Sequence, residues 1–369
     1  MIIGCVSEIK IHEYRVGLTP ENVHAYTSRG HQVLIQQGAG EGSGFTDQEY
    51  AGMGAKILSG AQAVWDASDM IIKVKEPLQE EYAKMREGQI LYTYLHLAAD
   101  RPLTDALLER KVKAVAYETV RDAAGGLPLL KPMSEVAGRL SIQEGAKCLE
   151  KPQGGLGIVL GGVPGVKKAK VVIIGGGVVG TSACKIAVGM GAEVSILDKN
   201  LDRLAYLDDI FGSSVQTLYS EDAVIEREVT GADLVIGAVL IPGAAAPKLI
   251  KKSYLSRMKK GSVIVDVAVD QGGCCETTRP TYHDNPTFIV DGVIHYCVAN
   301  MPGAVSRTSS IALTNATLSR GLCIAGNGLE GAAKLDGGIR SGINCYGGRL
   351  TCREVAETFG LDYAAFESL

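Results

Sequence analysis

Short β-branched runs alternate with helix-like segments almost from the first residue of the chain. Residues 2–6 read as a strand; Thr19-Pro20-Glu21 then supplies an N-cap, a proline at the first helical position and an acid in the first turn, and Gly30 provides the stop. Further strands are expected over 31–37, 69–74, 89–94 and 113–117, with helices over 46–53, 78–85 and 103–109. This alternation predicts an α/β fold around a parallel sheet. The loop Asp122-Ala-Ala-Gly-Gly-Leu-Pro marks a boundary. After it, Met133, Val136, Ala137, Leu140, Ala146 and Leu149 recur near helical spacing and predict a long connecting helix over 132–150. A glycine-rich turn over 154–165 precedes a second α/β unit that starts at Lys170 and runs to about residue 300. Helices over 306–323 and 352–359 return the chain to the first unit, so the expected division is 1–128 with 307–369, and 129–306 between them.

Composition narrows the class. The 369 residues suit two domains with ordinary cores, being 46% hydrophobic and 21% charged. A net charge of −4, without a Lys/Arg block, argues against nucleic acid or an anionic membrane as a partner. The most apolar stretches, 171–184 and 234–247, are interrupted well short of the roughly 18 residues that span a bilayer. The N-terminus opens on a strand-like run with no basic leader, so a cytoplasmic protein is expected. Nine cysteines, at 5, 148, 184, 274, 275, 297, 323, 345 and 352, form no C-x-x-C pair and read as buried free thiols of a reducing compartment. No metal site is expected, because no Cys/His ligand set has workable spacing. The 46 glycines imply many tight turns and close backbone approaches.

One glycine cluster carries chemistry. Lys170-Val-Val-Ile-Ile runs directly into Gly175-Gly-Gly177-Val-Val-Gly180, and a helix-like segment follows from Thr181. Strand, G-x-G-x-x-G and helix in that order form the dinucleotide fingerprint, with the pyrophosphate on the helix N-terminus. The next strand ends at Asp198, placed to accept hydrogen bonds from the adenine ribose. That carboxylate would repel a 2′-phosphate and favours NAD, although Arg203 nearby is a residue type that accommodates one. The fold class expected is therefore α/β with two doubly wound parallel-sheet domains joined by long helices. One is an inserted Rossmann NAD domain; the other is a discontinuous, flavodoxin-like or Rossmann-like substrate domain.

In the first unit Arg15, Lys75 and His96 stand out, the last two just past strand ends, where open α/β sheets bind ligands. They would suit a substrate carboxylate, a polarised carbonyl and a proton carrier. Each also has a structural reading: Arg15 as an ion-pair partner of Glu13, Lys75-Glu76 as a solvated turn, His96 as a core histidine. In the second unit Asp270 follows the apolar run from Ser262 and would face the interdomain crevice, or else simply form the turn before Gln271-Gly-Gly. Asn300-Met301-Pro302-Gly303 is another loop after an apolar run.

Taken together, Glu13-Tyr-Arg-Val-Gly-Leu-Thr-Pro, Val74-Lys-Glu-Pro, Tyr94-Leu-His-Leu-Ala, Pro132-Met-Ser-Glu-Val-Ala-Gly, the fingerprint, the stretch 266–276 and His295-Tyr-Cys-Val-Ala-Asn-Met-Pro-Gly-Ala-Val resemble the L-alanine dehydrogenase family over essentially the whole chain. The resemblance implies reversible oxidative deamination of L-alanine to pyruvate and ammonium with NAD, in homohexamers. It implies that Arg15 and Lys75 bind substrate and that His96 and Asp270 handle protons. For NAD it implies Ser134, Val178, Val179, Asp198, Arg203, Ser220, Val239, Leu240, Val267, Ala268, Val269, Asp270, Arg279, Val298, Ala299, Asn300 and Met301, besides Gly175, Gly177 and Gly180. Some relatives ligate a metal from the late helix; the matching positions here are Cys323 and Asn327, and the metal is not carried over. The alternatives are the NAD-binding subunit of a transhydrogenase, the more distant saccharopine dehydrogenase, and a catalytically silent NAD- or redox-sensing module with Cys274-Cys275 as its switch.

Overall fold

The structure, a computed structural model, describes residues 1–239 and 246–368. Along the described chain the strands are β1 (Ile2–Cys5), β2 (Gln32–Gln36), β3 (Lys56–Leu58), β4 (Met70–Ile72), β5 (Ile90–Thr93), β6 (Lys113–Ala116), β7 (Lys170–Ile174), β8 (Glu193–Asp198), β9 (Val215–Tyr219), β10 (Leu234–Gly237), β11 (Val263–Asp266), β12 (Thr287–Val290), β13 (Val293–Tyr296), β14 (Ile343–Tyr346) and β15 (Arg349–Leu350). They fall into two compact units, Met1–Met133 with Val305–Leu369, and Ser134–Ala304.

In the first unit the sheet order is β15-β14-β6-β5-β4-β1-β2-β3. The six strands from β1 to β6 pair in parallel, and the order reverses at β1, so the carboxyl ends of β1 and β4 flank a topological switch point. β4 and β5 are buried along their whole length, as strands covered on both faces must be. The first helix, Pro20–Thr27, is capped by Thr19, whose side chain accepts from the Asn22 N–H, and it ends three residues before Gly30.

In the second unit the order is β12-β13-β11-β10-β7-β8-β9, parallel from β9 through β13. Here the reversal lies between β7 and β10. The helix Lys131–Cys148 carries the chain across the boundary, and its Gly138 lies so close to the Val179 carbonyl that a Cβ would sit 2.2 Å from that oxygen.

Several features differ from the sequence expectation. Both sheets are mostly parallel rather than purely so: β12 runs antiparallel to β13, and β14 joins β6 antiparallel with β15 behind it. The edge strand β3 and the helix Ala61–Ala67 are too short to declare a period in the sequence. The late helix extends from Ser306 to Leu335, well beyond 323, because Gly328 (φ 69°, ψ 168°) absorbs a kink inside it. Among the described residues no helix is long and apolar enough to cross a membrane. All nine cysteines are free, and eight of them are buried.

Candidate active site

In the first unit the polar residues gather beyond the carboxyl ends of β1, β4, β5 and β6. Arg15 comes from the long segment after β1, which crosses the end of β4 so closely that a Cβ on Gly17 would lie 2.8 Å from the Ile72 carbonyl. Its guanidinium grips the buried Glu13 carboxylate, Nε to Oε1 at 2.6 Å and Nη2 to Oε2 at 2.5 Å, while Nη1 meets the Met133 sulfur at 3.1 Å. Burial opposes the charge on Arg15, but the bond to Glu13 outweighs it and holds the guanidinium firmly protonated. The ion-pair reading of Arg15 is therefore realised.

Lys75 stands three residues past β4 and is half-buried rather than part of a solvated turn. Burial and then the nearby Arg15 charge pull its ammonium below the ordinary lysine range. The backbone on either side of it is tied to a charged trio. The Lys73 ammonium, fully buried, lies 3.2 Å from Glu8 and 3.0 Å from Glu81. Glu8 also accepts the Val74 N–H at 2.7 Å, and Glu81 accepts the Leu78 N–H at 3.1 Å. Burial raises the Glu8 carboxyl against the pull of Lys73.

His96 is not a core histidine: its side chain is 48% exposed. It stands three residues past β5 with φ of 49°, in the left-handed region. Its ring stacks on Tyr94 (centroids 5.8 Å apart, planes at 8°), and Tyr94 is anchored by donating to the Leu129 carbonyl at 2.7 Å. Arg15 also bears electrostatically on the Tyr94 hydroxyl. The fold thus brings Arg15, Lys75, Tyr94 and His96 into one polar cluster on the first unit.

In the second unit the fingerprint occupies the end of β7. A Cβ on Gly180 would fall 1.8 Å from the Gly175 carbonyl, and Gly175, at φ +103°, lies against the Ala238 carbonyl at the end of β10. Both positions therefore require glycine. A Cβ on Gly177 would meet nothing within 4 Å, and the helix Val178–Gly189 has no side-chain cap on its first N–H groups. That cradle fits a dinucleotide pyrophosphate. Val178 is partly exposed beside it, whereas Val179 is buried against the connecting helix. Ser134 stands one turn before Gly138 on that helix, on the same face.

Asp198 ends β8 and accepts from the Gly176 N–H at 2.6 Å and the Asn200 N–H at 2.9 Å, which ties the ribose candidate to the fingerprint loop. Arg203 turns inward, donating to the Gly176 carbonyl and the Thr181 hydroxyl, each at 2.6 Å. Ser220 follows β9 and donates its N–H to the Asp198 carbonyl. Val239 follows β10; Leu240 lies outside the described residues.

Val267, Ala268, Val269 and Asp270 follow β11, and Asp270 is exposed in the short helical turn Val269–Gln271. The buried Asp266 clamps this loop at both ends, accepting the Ala268 and Cys275 N–H groups at 3.1 Å each and the Thr278 hydroxyl. Val298, Ala299, Asn300 and Met301 follow β13, with Asn300 left-handed at φ 62°. Arg279 is exposed and lies over the Phe288 ring, 4.3 Å from its centroid.

Sequence reasoning missed Glu8, Lys73, Tyr94, Glu118 and Asp266 as parts of these clusters. Glu118 and Asp266 carry the signal already used for Lys75, a charged residue at or just past an apolar strand end. Lys73 and Glu8 also follow apolar strands, but their pairing with each other carries no local signal, since it depends on which strands become neighbours. At the late-helix positions the Asn327 amide donates to the Cys323 carbonyl at 2.9 Å, and among the described residues no group of three or more His, Cys, Asp or Glu is placed to hold a metal ion.

Comparison with known proteins adds to this geometry. Residues 4–137 match the family model described as alanine dehydrogenase/PNT, N-terminal domain, and residues 141–353 match alanine dehydrogenase/PNT, C-terminal domain. Alanine dehydrogenase from Halomonas elongata is 53% identical over 369 residues, with 100% of both chains covered. Alanine dehydrogenase from Methanococcus maripaludis is 56% identical over 368 residues, covering 100% of this chain and 99% of that one. A solved L-alanine dehydrogenase structure is similar at a TM-score of 0.95 and 52% identity, covering 98% of this chain and 99% of that chain.

Proposed function

The chain belongs to the alanine dehydrogenase family, and on that premise we propose that it is an NAD-dependent enzyme interconverting L-alanine with pyruvate and ammonium. The observation that carries this reading is 53% and 56% identity across the whole chain with proteins of that name. It favours this reading over a transhydrogenase subunit or a silent nucleotide-binding module.

Bound NAD supplies the acceptor for the hydride of alanine Cα, and NADH the donor in reverse. Gly175, Gly177 and Gly180 hold the pyrophosphate and Asp198 the adenine ribose. Arg15 and Lys75 act on substrate oxygens. Lys75, half-buried, donates to the carboxylate and to the oxygen of pyruvate, and Arg15, held rigidly by Glu13, contributes a fixed positive charge. Once Cα has become an iminium carbon, water adds to it and must lose a proton. The carbinolamine nitrogen must then gain one, and its hydroxyl must give one up as the C–N bond breaks to leave ammonia and pyruvate. His96 and Asp270 share this proton traffic.

Homo-oligomers, hexamers on the family resemblance, are part of the proposal; a monomer in light scattering at assay concentration contradicts it. The test of the activity is NADH consumption, followed by its absorbance, with pyruvate and ammonium supplied together. Folded protein that binds NADH yet consumes none under these conditions overturns the reading.

A further inference from the structure

We propose that Glu118 is a positioning residue for His96, holding both its backbone and its ring. This rests on the reading of His96 as a proton carrier. Three observations within the first unit meet at one carboxylate. Glu118 lies two residues past β6, in the short helical turn Tyr117–Thr119, and reaches across to the loop after the neighbouring strand β5. There its Oε1 accepts the His96 N–H at 2.6 Å and the Leu95 N–H at 3.1 Å, with Oε2 3.3 Å from the same Leu95 nitrogen. The same Oε1 stands 4.0 Å from the His96 ring Nδ1.

The backbone role follows from strain. His96 adopts the left-handed conformation (φ 49°, ψ 39°), which a side chain with a Cβ disfavours, and it persists only where the surroundings enforce it. Two consecutive N–H groups turned onto one carboxylate supply that enforcement, because the loop has left the strand pairing that would otherwise satisfy them. Glu118 is largely buried, its side chain 16% exposed, so the bonds to Leu95 are partly shielded from competing water, while the His96 bond lies at the exposed edge of the loop.

The ring role follows from what else holds the imidazole. Half-exposed, the ring is stacked on Tyr94 on one side and faces the Glu118 carboxylate at Nδ1. At 4.0 Å this is an ionic contact available to the protonated ring rather than a hydrogen bond in the resting state. A carboxylate there balances the charge whenever the imidazole carries an extra proton, and it leaves Nε2 as the nitrogen available for transfer.

The test uses the full-length enzyme in steady-state alanine deamination and pyruvate amination. Glu118→Ala should lower kcat by about 10- to 100-fold while the KM for NADH stays within about twofold. Glu118→Gln keeps an acceptor oxygen for the two N–H groups and loses the charge, so its kcat should lie between Glu118→Ala and wild type. If Glu118 acts through His96, Glu118→Ala should cost less than about twofold in a His96→Ala background. An equal loss in both backgrounds overturns the proposal, as does wild-type kcat in folded Glu118→Ala. Should Glu118→Ala not fold, Glu118→Gln decides: a drop in kcat of about 3- to 10-fold supports the proposal and an unchanged kcat overturns it. Wild-type turnover in His96→Ala overturns the reading of His96 and this proposal with it, whereas an inactive His96→Ala beside a fully active Glu118→Gln overturns only the role of Glu118.

Discussion

The Arg15 guanidinium and the Glu13 carboxylate face each other fork to fork, both side chains almost completely out of solvent. Such a pair fixes the direction of the cation as well as its charge. Glu13→Gln would leave a buried guanidinium short of its counter-charge. Breaking a buried pair from one side costs about 3–5 kcal/mol. A lower Tm together with a higher KM for alanine is expected, and a variant that keeps both at wild-type values contradicts a positioning role for Glu13.

Lys75→Ala should lower kcat/KM for alanine and for pyruvate by on the order of 10³-fold, because the missing ammonium orients the reacting carbon as well as binding it. NADH affinity should barely change. Near-normal alanine turnover at an unchanged Tm would exclude Lys75 from the site.

The same lysine sets an alkaline limit. Burial and Arg15 favour its neutral amine, so the folded chain releases this proton at lower pH than an ordinary lysine near ~10.4. Between the two values the unfolded chain binds the extra proton, so the stability contribution of this group rises with pH across that window while its use as a cation falls. The KM for pyruvate should therefore climb before the ordinary lysine range is reached. Lys75→Arg should move that climb to higher pH, and a climb that stays in place assigns it to another group.

Preference for NAD over NADP should rest on Asp198. Its carboxylate already accepts two backbone N–H groups and would stand against a 2′-phosphate, while Arg203 is engaged with Gly176 and Thr181. Asp198→Ala should narrow the ratio of kcat/KM values for the two cofactors and also weaken NADH binding, since the Gly176 tether is lost. Comparable kcat/KM with NAD and NADP in the unmodified enzyme rules the idea out.

Turnover should survive removal of metal ions. Dialysis against a chelator followed by assay in chelator-treated buffer is the measurement, and activity lost there and restored by zinc or magnesium contradicts the expectation.

What the sequence determined by itself is local in origin. Gly175 and Gly180 are legible because a strand-to-helix turn with backbone packed on backbone excludes any Cβ. Lys75, His96 and Asp270 are legible because a polar residue after an apolar run announces the end of a buried parallel strand, and β1, β2, β4, β5 and β6 form within two residues of their expected places. The tertiary structure alone decided the relationships between strands. Glu118 meets His96 because β6 lies beside β5, and Lys73 meets Glu8 because β4 lies beside β1. The addition of β14 to β6, antiparallel and from more than 200 residues away along the chain, is of the same kind. Periodicity records which face of an element is buried, not which element it will be buried against. That choice is made by sheet order and backbone pairing over long sequence separations, and no short stretch of this chain encodes it.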